Sequence, residues 1–147
     1  TEVNLALAIQ HAVAPLSARE SFHIDIDPNL VVMADPGLID RVLGNICENS
    51  VKYTPEGTKV RIDAALASDR VIIRIADTGP GITDKDRERI FAPFQRLGDV
   101  PQGDGVGLGL AVARGLAEAM DATIGVDDTP GGGLTFVLDF PRPQETP

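Results

Sequence analysis

KVRIDAALASDRVIIRIADTGPGI, residues 59–82, decides the fold. Its first part, 59–66, alternates apolar and polar side chains with the period of a strand, and so does RVIIRIAD, 70–77. Ala67-Ser68-Asp69 between them is short enough to fold one strand back on the other as a hairpin. Working outward, FHIDID (22–27) alternates in the same way and VVM (31–33) reads as a short second strand. ATIGVDD (122–128) and LTFVLDF (134–140) are two further strands joined by TPGGG. Helices are expected over 4–18, with an interruption near Pro15, over 36–53, and after the glycines at 103–110. Strands that arrive in antiparallel pairs, with helices able to cover one face, indicate an α+β two-layer sandwich rather than a doubly wound parallel sheet.

The chain has 147 residues, of which 43% are hydrophobic and 24% charged, an ordinary balance for one domain with a single core. We expect that domain to occupy 1–141 and RPQETP, 142–147, to be a frayed tail. Trp is absent and aromatics make up 4%, so aliphatic side chains must dominate the interior. The single cysteine, Cys47, allows no intrachain disulfide and, with two scattered histidines, no Cys–His metal cluster. It fits a reducing compartment. No stretch approaches the roughly 18–20 apolar residues that span a bilayer, and TEVNLALAIQ lacks a signal peptide's basic region. No membrane contact by this segment is therefore expected, although it could belong to a longer membrane protein. The formal charge is −9, which argues against nucleic acid as a partner, since phosphate backbones need clustered Lys and Arg. A small polyanion would need a metal ion, backbone amides or a few well-placed cations, and only Lys52, Lys59 and Lys85 supply lysine.

Asp35 followed by Pro36 is a helix start, an acceptor at the N-cap and a proline where no amide is needed. In the helix that follows, Ile39, Val42, Leu43, Ile46 and Ser50 share one side at 100° per residue. Asn45, Asn49 and Lys52 form a second stripe, flanked by Glu48 and Arg41. Such a stripe can face solvent or cap a loop. It can also face a polar ligand, because amide oxygens ligate hard cations and an ammonium meets the phosphates a cation bridges. At the end of the strand 70–77, Asp77 precedes Gly-x-Gly in ADTGPGI, either an ordinary turn or a carboxylate able to accept from an exocyclic amine beside glycines that admit a ring. GDGVGLGL (103–110) is neither a Walker A loop, having no Gly-Lys-Ser/Thr, nor a dinucleotide fingerprint. It leaves a hinge, or unshielded amides at a helix N-terminus that favours anions. In that helix Leu108, Val112, Leu116 and Met120 recur at i+4 and are expected to form the buried stripe. TPGGGLTF, taken singly, is a hairpin turn.

Taken together, N-x3-N-x2-K-Y (45–53), D-x-G-x-G-I (77–82), I-F-A-P-F-Q-R (90–96), G-x-G-L-G-L (105–110) and G-G-G-L-T-F (131–136) stand in the order of the N, G1, F, G2 and G3 boxes. The chain thus resembles the catalytic, ATP-binding domain of bacterial sensor histidine kinases over essentially its whole length. GVGLGLAVARGLAEAM with TPGGG looks like the Kdp-type kinases in particular. The resemblance implies the Bergerat fold, a mixed and mostly antiparallel sheet covered on one face by three helices, with ATP between the helices and a mobile lid at about 83–105.

Carried onto these positions, the resemblance implies that Asp77 binds the adenine amine and that Gly79, Gly81 and Ile82 shape the purine slot. Asn45 and Asn49 would hold Mg²⁺, Lys52 would meet phosphate, and Tyr53 would line the pocket. Phe91 and Phe94 would anchor the lid, and Arg96 is a candidate phosphate contact. Gly105, Val106, Gly107, Leu108, Gly109 and Leu110 would wrap the triphosphate, and Thr135 is a candidate near the purine. The implied chemistry is transfer of the ATP γ-phosphoryl group to a histidine, with Asn45, Glu48, Asn49 and Lys52 as the catalytic set and Glu48 placed to orient or polarise the acceptor. The implied partners are a dimerisation domain carrying that histidine and a response regulator, and the implied location is the cytoplasmic part of a membrane-bound sensor. Neither His11 in QHAVAP nor His23 in FHIDID resembles the family's acceptor motif, so the chain alone is expected not to autophosphorylate. Gyrase-, Hsp90- and MutL-type ATPases usually place a glutamate base where Asn45 stands. An anti-sigma-factor serine kinase and a non-catalytic nucleotide-binding module are the alternative readings.

Overall fold

Ser68 and Asp69 reverse the chain, with Ser68 in the left-handed region at φ 61°. Eight residues on either side pair antiparallel, from Ala67 opposite Arg70 to Val60 opposite Asp77. The computed structural model describes residues 1–16, 22–52, 59–78, 109–129 and 132–143. Within them the elements are β1 (Glu2–Asn4), α1 (Leu5–Val13), β2 (Phe22–Asp25), β3 (Val31–Met33), α2 (Pro36–Lys52), β4 (Val60–Ala67), β5 (Arg70–Asp77), α3 (Gly109–Glu118), β6 (Thr123–Asp128) and β7 (Leu134–Pro141). The main sheet has the order β2-β4-β5-β7-β6. It is antiparallel except where β2 runs parallel to β4, with Phe22 opposite Val60. This is the α+β two-layer sandwich of the Bergerat type that the sequence indicated.

The short strands at 22–27 and 31–33 do not pair with each other. β3 pairs antiparallel with β1 in a small separate sheet, Val3 opposite Val32, while β2 joins the edge of the main sheet. β1 was not expected: Glu2 and Val3 precede the segment read as a helix, and Asn4 is its first residue. Asn4 ends that strand and caps α1, its side chain accepting from the Leu7 amide at 3.0 Å and donating to the Pro28 carbonyl at 2.7 Å.

Asp35 starts α2 as its residue type dictates, Oδ1 accepting from the amides of Gly37 and Leu38 at 2.9 and 3.0 Å. α2 packs between α1 and α3 and against β5. Its inward stripe, Ile39, Val42, Leu43, Ile46, Cys47 and Ser50, is fully buried. It meets the inward rows of the sheet, where Ile62, Ile75, Phe136 and Val126 stand side by side in register. In α3 the i+4 stripe is displaced from the expected one. Leu110, Ala113 and Ala117 face inward, Leu116 and Met120 are only partly buried, and Val112 is exposed. The i+4 steps drift by about 40° per turn, so a run of them leaves the contact line. The two alanines instead allow a close approach to α2.

The far end of the hairpin is tied down. Arg70 pairs with the Asp139 carboxylate and donates to the Asp121 carbonyl. Arg142 bonds the turn through Ser68 and Asp69 carbonyls at 2.7 and 3.0 Å.

Candidate functional site

Asp77 closes β5 on the side of the sheet that the helices cover. Its carboxylate is only 4% exposed, although it sits at a strand end beside the glycines of a turn. Burying an ionised carboxylate is costly unless it is hydrogen-bonded. One partner is the Leu134 amide, which donates to Oδ1 at 3.1 Å. Two glycines make this approach possible. Gly132 and Gly133 have φ of +113° and +116°, a region that side-chain-bearing residues rarely adopt. A Cβ on Gly133 would fall 2.0 Å from the Asp77 carbonyl oxygen and 3.1 Å from its Oδ1. The Thr129 amide donates to the Gly133 carbonyl at 3.0 Å, and the Gly132 amide donates to the Thr129 carbonyl at 2.9 Å. Gly133 is therefore pressed against Asp77, which leaves no room for a side chain there.

The second part of the site lies on α2. Asn45 and Asn49 are half-buried and one turn apart, as the stripe requires, while Glu48 and Arg41 are exposed beside them. Asn49 Nδ2 donates to the Asn45 carbonyl at 2.7 Å. With its nitrogen committed, Asn49 has Oδ1 as the atom that can serve a hard cation. Among the described residues no group of three or more His, Cys, Asp or Glu gathers to hold a metal. A cation here would rely on amide oxygens, water and the phosphates of a ligand, which is the donor set Mg²⁺ accepts. The asparagines fit that ion. Cys47 lies between them in sequence but faces the core, and desolvation pushes its thiol from 9.0 up to about 12, so it supplies no nucleophile.

Lys52 ends α2 as drawn by the backbone, and Leu110 enters the core at the start of α3, directly after Gly109. Tyr53, Gly79, Gly81, Ile82, Phe91, Phe94, Arg96, Gly105, Val106, Gly107 and Leu108 lie outside the described residues, as does the lid segment at about 83–105. Thr135 is not brought to Asp77. Alternation along β7 puts Leu134 on the helix side and Thr135 on the opposite face, where its hydroxyl meets that of Thr129 at 2.9 Å. The contact that sequence reasoning missed is the Leu134 amide on Asp77. Its signal was the run Gly131-Gly132-Gly133 directly before a strand, where three glycines exceed what a hairpin turn needs.

The model of the histidine kinase-, DNA gyrase B-, and HSP90-like ATPase family matches residues 34–144. The sensor protein KdpD of Mycobacterium tuberculosis (strain ATCC 25618 / H37Rv) is 50% identical over 117 residues, 80% of this chain. The chain spans only 14% of the length of that relative. Among solved structures, the mycobacterial sensor histidine kinase MprB superposes with a TM-score of 0.85 at 25% identity, covering 98% of this chain and 100% of the other. Full-length ShkA in complex with AMPPNP gives a TM-score of 0.78 at 30% identity, covering 99% of this chain and 32% of that one. Fold, buried strand-end carboxylate and sequence agree, and the chain belongs to the histidine kinase-, DNA gyrase B-, and HSP90-like ATPase family, among the catalytic ATP-binding domains of sensor histidine kinases.

Proposed function

We propose that the chain binds Mg-ATP on the helix-covered side of the sheet and transfers its γ-phosphoryl group to a histidine on a separate dimerisation domain. The observation that carries this reading is Asp77, a buried carboxylate held by the Leu134 amide at the mouth of a glycine turn. A carboxylate kept there at such desolvation cost suits recognition of an exocyclic amine, which only an acceptor can read. Gly79, Gly81 and Ile82 follow it in sequence and would shape the purine slot, with Tyr53 lining it. Asn45 and Asn49 would hold Mg²⁺, which when bound neutralises phosphate charge. Lys52 and Arg96 would add cations, and residues 105–110 would offer amides to the triphosphate. Phe91 and Phe94 would anchor a lid over about 83–105. Phosphoryl transfer asks mainly for positioning and charge neutralisation, and this set supplies both.

Glu48 is exposed on the face of α2 beside the asparagines, where an incoming imidazole could reach it. In this reading it orients or polarises the acceptor, and a Glu48→Gln variant keeps nucleotide affinity but loses transfer rate. The sequence holds no acceptor motif around His11 or His23, and the structure places His11 on the exposed end of α1, its Nδ1 2.6 Å from Asp40. The acceptor histidine and the response regulator that receives the phosphoryl group next are thus other domains. We place the chain in the cytoplasmic part of a sensor kinase. Among the described residues no helix is long and apolar enough to cross a membrane.

The test is a transfer assay with γ-labelled ATP and a separately prepared phosphoacceptor domain from a KdpD relative. The acceptor domain gains label only when the chain is added, and the chain alone gains none. Label appearing in the chain alone, or none in the acceptor domain despite measured ATP binding, would contradict the reading.

A further inference from the structure

Thr135 leads to a surface that the nucleotide site does not use. On the face of the sheet away from the helices, the register sets His23, Arg61, Ala76, Thr135 and Asp127 in one row across all five strands. Arg74 belongs to the next row, opposite Asp63. These rows, with Phe22, Lys59 and Thr129 at the rim, line a groove of about 860 Å³, the size of a small-molecule site. Thr135 at its floor is only 4% exposed.

Arg70 and Arg142 are engaged, Arg70 with Asp139 and Arg142 with the hairpin turn. Arg61, Arg74 and Lys59 make no hydrogen bond or ion pair among the described residues, although the chain carries a formal charge of −9. Arg61 is paired with Ala76 and Arg74 with Asp63, so the two arginines are diagonal neighbours, about 7–8 Å apart at their Cα atoms. Two guanidinium groups on such a diagonal can converge on one oxyanion, which their planar forks bind in bidentate fashion. Asp63 also lines the groove, opposite Arg74, and the far side carries Asp127 and Asp128 on β6, both with interactions of their own. That side repels a second anionic group. Between the two lie Ala76 and the Thr129–Thr135 hydroxyl pair, which suit a neutral body with a hydrogen-bonding edge.

We propose that the outer face of the sheet is a second ligand site, taking a small phosphate monoester whose single phosphate sits on Arg61 and Arg74 and whose uncharged body lies toward β7. The proposal stands independently of the nucleotide reading, because Asp77 faces the other side of the sheet. Phenyl phosphate is the probe, titrated into the isotope-labelled chain and followed by amide NMR. The expected result is saturable shifts at Arg61, Arg74 and Thr135, with a dissociation constant on the order of a millimolar or tighter. The same titration of an Asp77→Asn variant, in which the nucleotide site is impaired, should give the same constant. Arg61→Gln and Arg74→Gln should each weaken binding about tenfold, one good charge-assisted contact, and Arg61→Lys should recover part of it. Because both arginines are exposed, the variants should keep dispersed spectra; were Arg61→Gln to lose its fold, Arg74→Gln and Arg61→Lys would carry the comparison. Shifts confined to Asp77, Gly133 and Leu134, shifts that never saturate, or glutamine variants that bind as well as the parent would overturn the proposal. Inorganic phosphate binding as tightly as phenyl phosphate would overturn the assignment of a neutral body.

Discussion

β5 ends in two different ways. At Arg70 the strand is locked: a guanidinium bridges to Asp139 and Asp121, and Arg142 bonds across the hairpin turn. At Asp77 the same strand ends in a buried carboxylate against two glycines of positive φ, with a neighbouring backbone amide holding it. Both ends satisfy their polar groups, but by opposite means. Charged side chains reaching over a turn give the first end redundancy, so that no single group is indispensable. The second end depends on backbone approach, which leaves no room for a side chain and keeps a carboxylate facing the helix side. One end holds the sheet together and the other is shaped for a ligand.

Substitutions can test that division, and the largest effect is expected at the glycine turn. Gly133→Ala forces a Cβ to 2.0 Å from the Asp77 carbonyl oxygen on a strained backbone. We expect a loss of about 3 kcal/mol or more, seen as a fall of about 10 °C in the thermal melt, together with loss of nucleotide binding. An unchanged melt would show that the turn moves away freely and that its close approach is not a constraint. Asp77→Asn is next. An amide can still accept from the Leu134 N–H, so the melt should hardly move, while Mg-ADP affinity falls about 100-fold, or about 2.7 kcal/mol. A variant that melts much earlier yet binds normally would make Asp77 a structural residue and remove the contrast between the two ends.

Smaller effects sharpen the picture. Asn49→Ala removes a cation ligand in the proposed site and should weaken Mg-ADP about tenfold, with little effect on ADP measured in excess chelator. Equal losses with and without Mg²⁺ would assign Asn49 to packing of α2 instead. Arg70→Ala is the control at the locked end. Its pair is partly exposed, so about 1 kcal/mol of stability should be lost with no change in nucleotide affinity.

Much of this was legible in the sequence because the relevant signals are local. The period-two strands around Ser68-Asp69 and the Asp35-Pro36 helix start each depend on a few adjacent residues, and both stand where they were read. So does the inward stripe of α2. What was not legible depends on partners far away in the chain. β1 is three residues long and exists only because Val32 lies opposite Val3. The separation of 22–27 from 31–33 is set by a parallel pairing with β4, which no local pattern announces. In α3, alanines rather than the larger Val112 and Leu116 make the close contact, because proximity to α2 rewards small side chains over large ones. Thr135 was readable in principle, since Leu134 and Phe136 on either side fix its face. In the candidate site, Asp77 and the asparagine stripe came from residue chemistry at strand and helix positions. The Leu134 amide did not, because backbone donors carry no residue signature.

The most direct test of the central claim is a calorimetric titration of Mg-ADP into the chain, repeated with Asp77→Asn. The account predicts one saturable site in the parent chain, weakened about 100-fold in the variant while its thermal melt is retained. No binding by the parent up to millimolar nucleotide, or equal binding by both proteins, would contradict it.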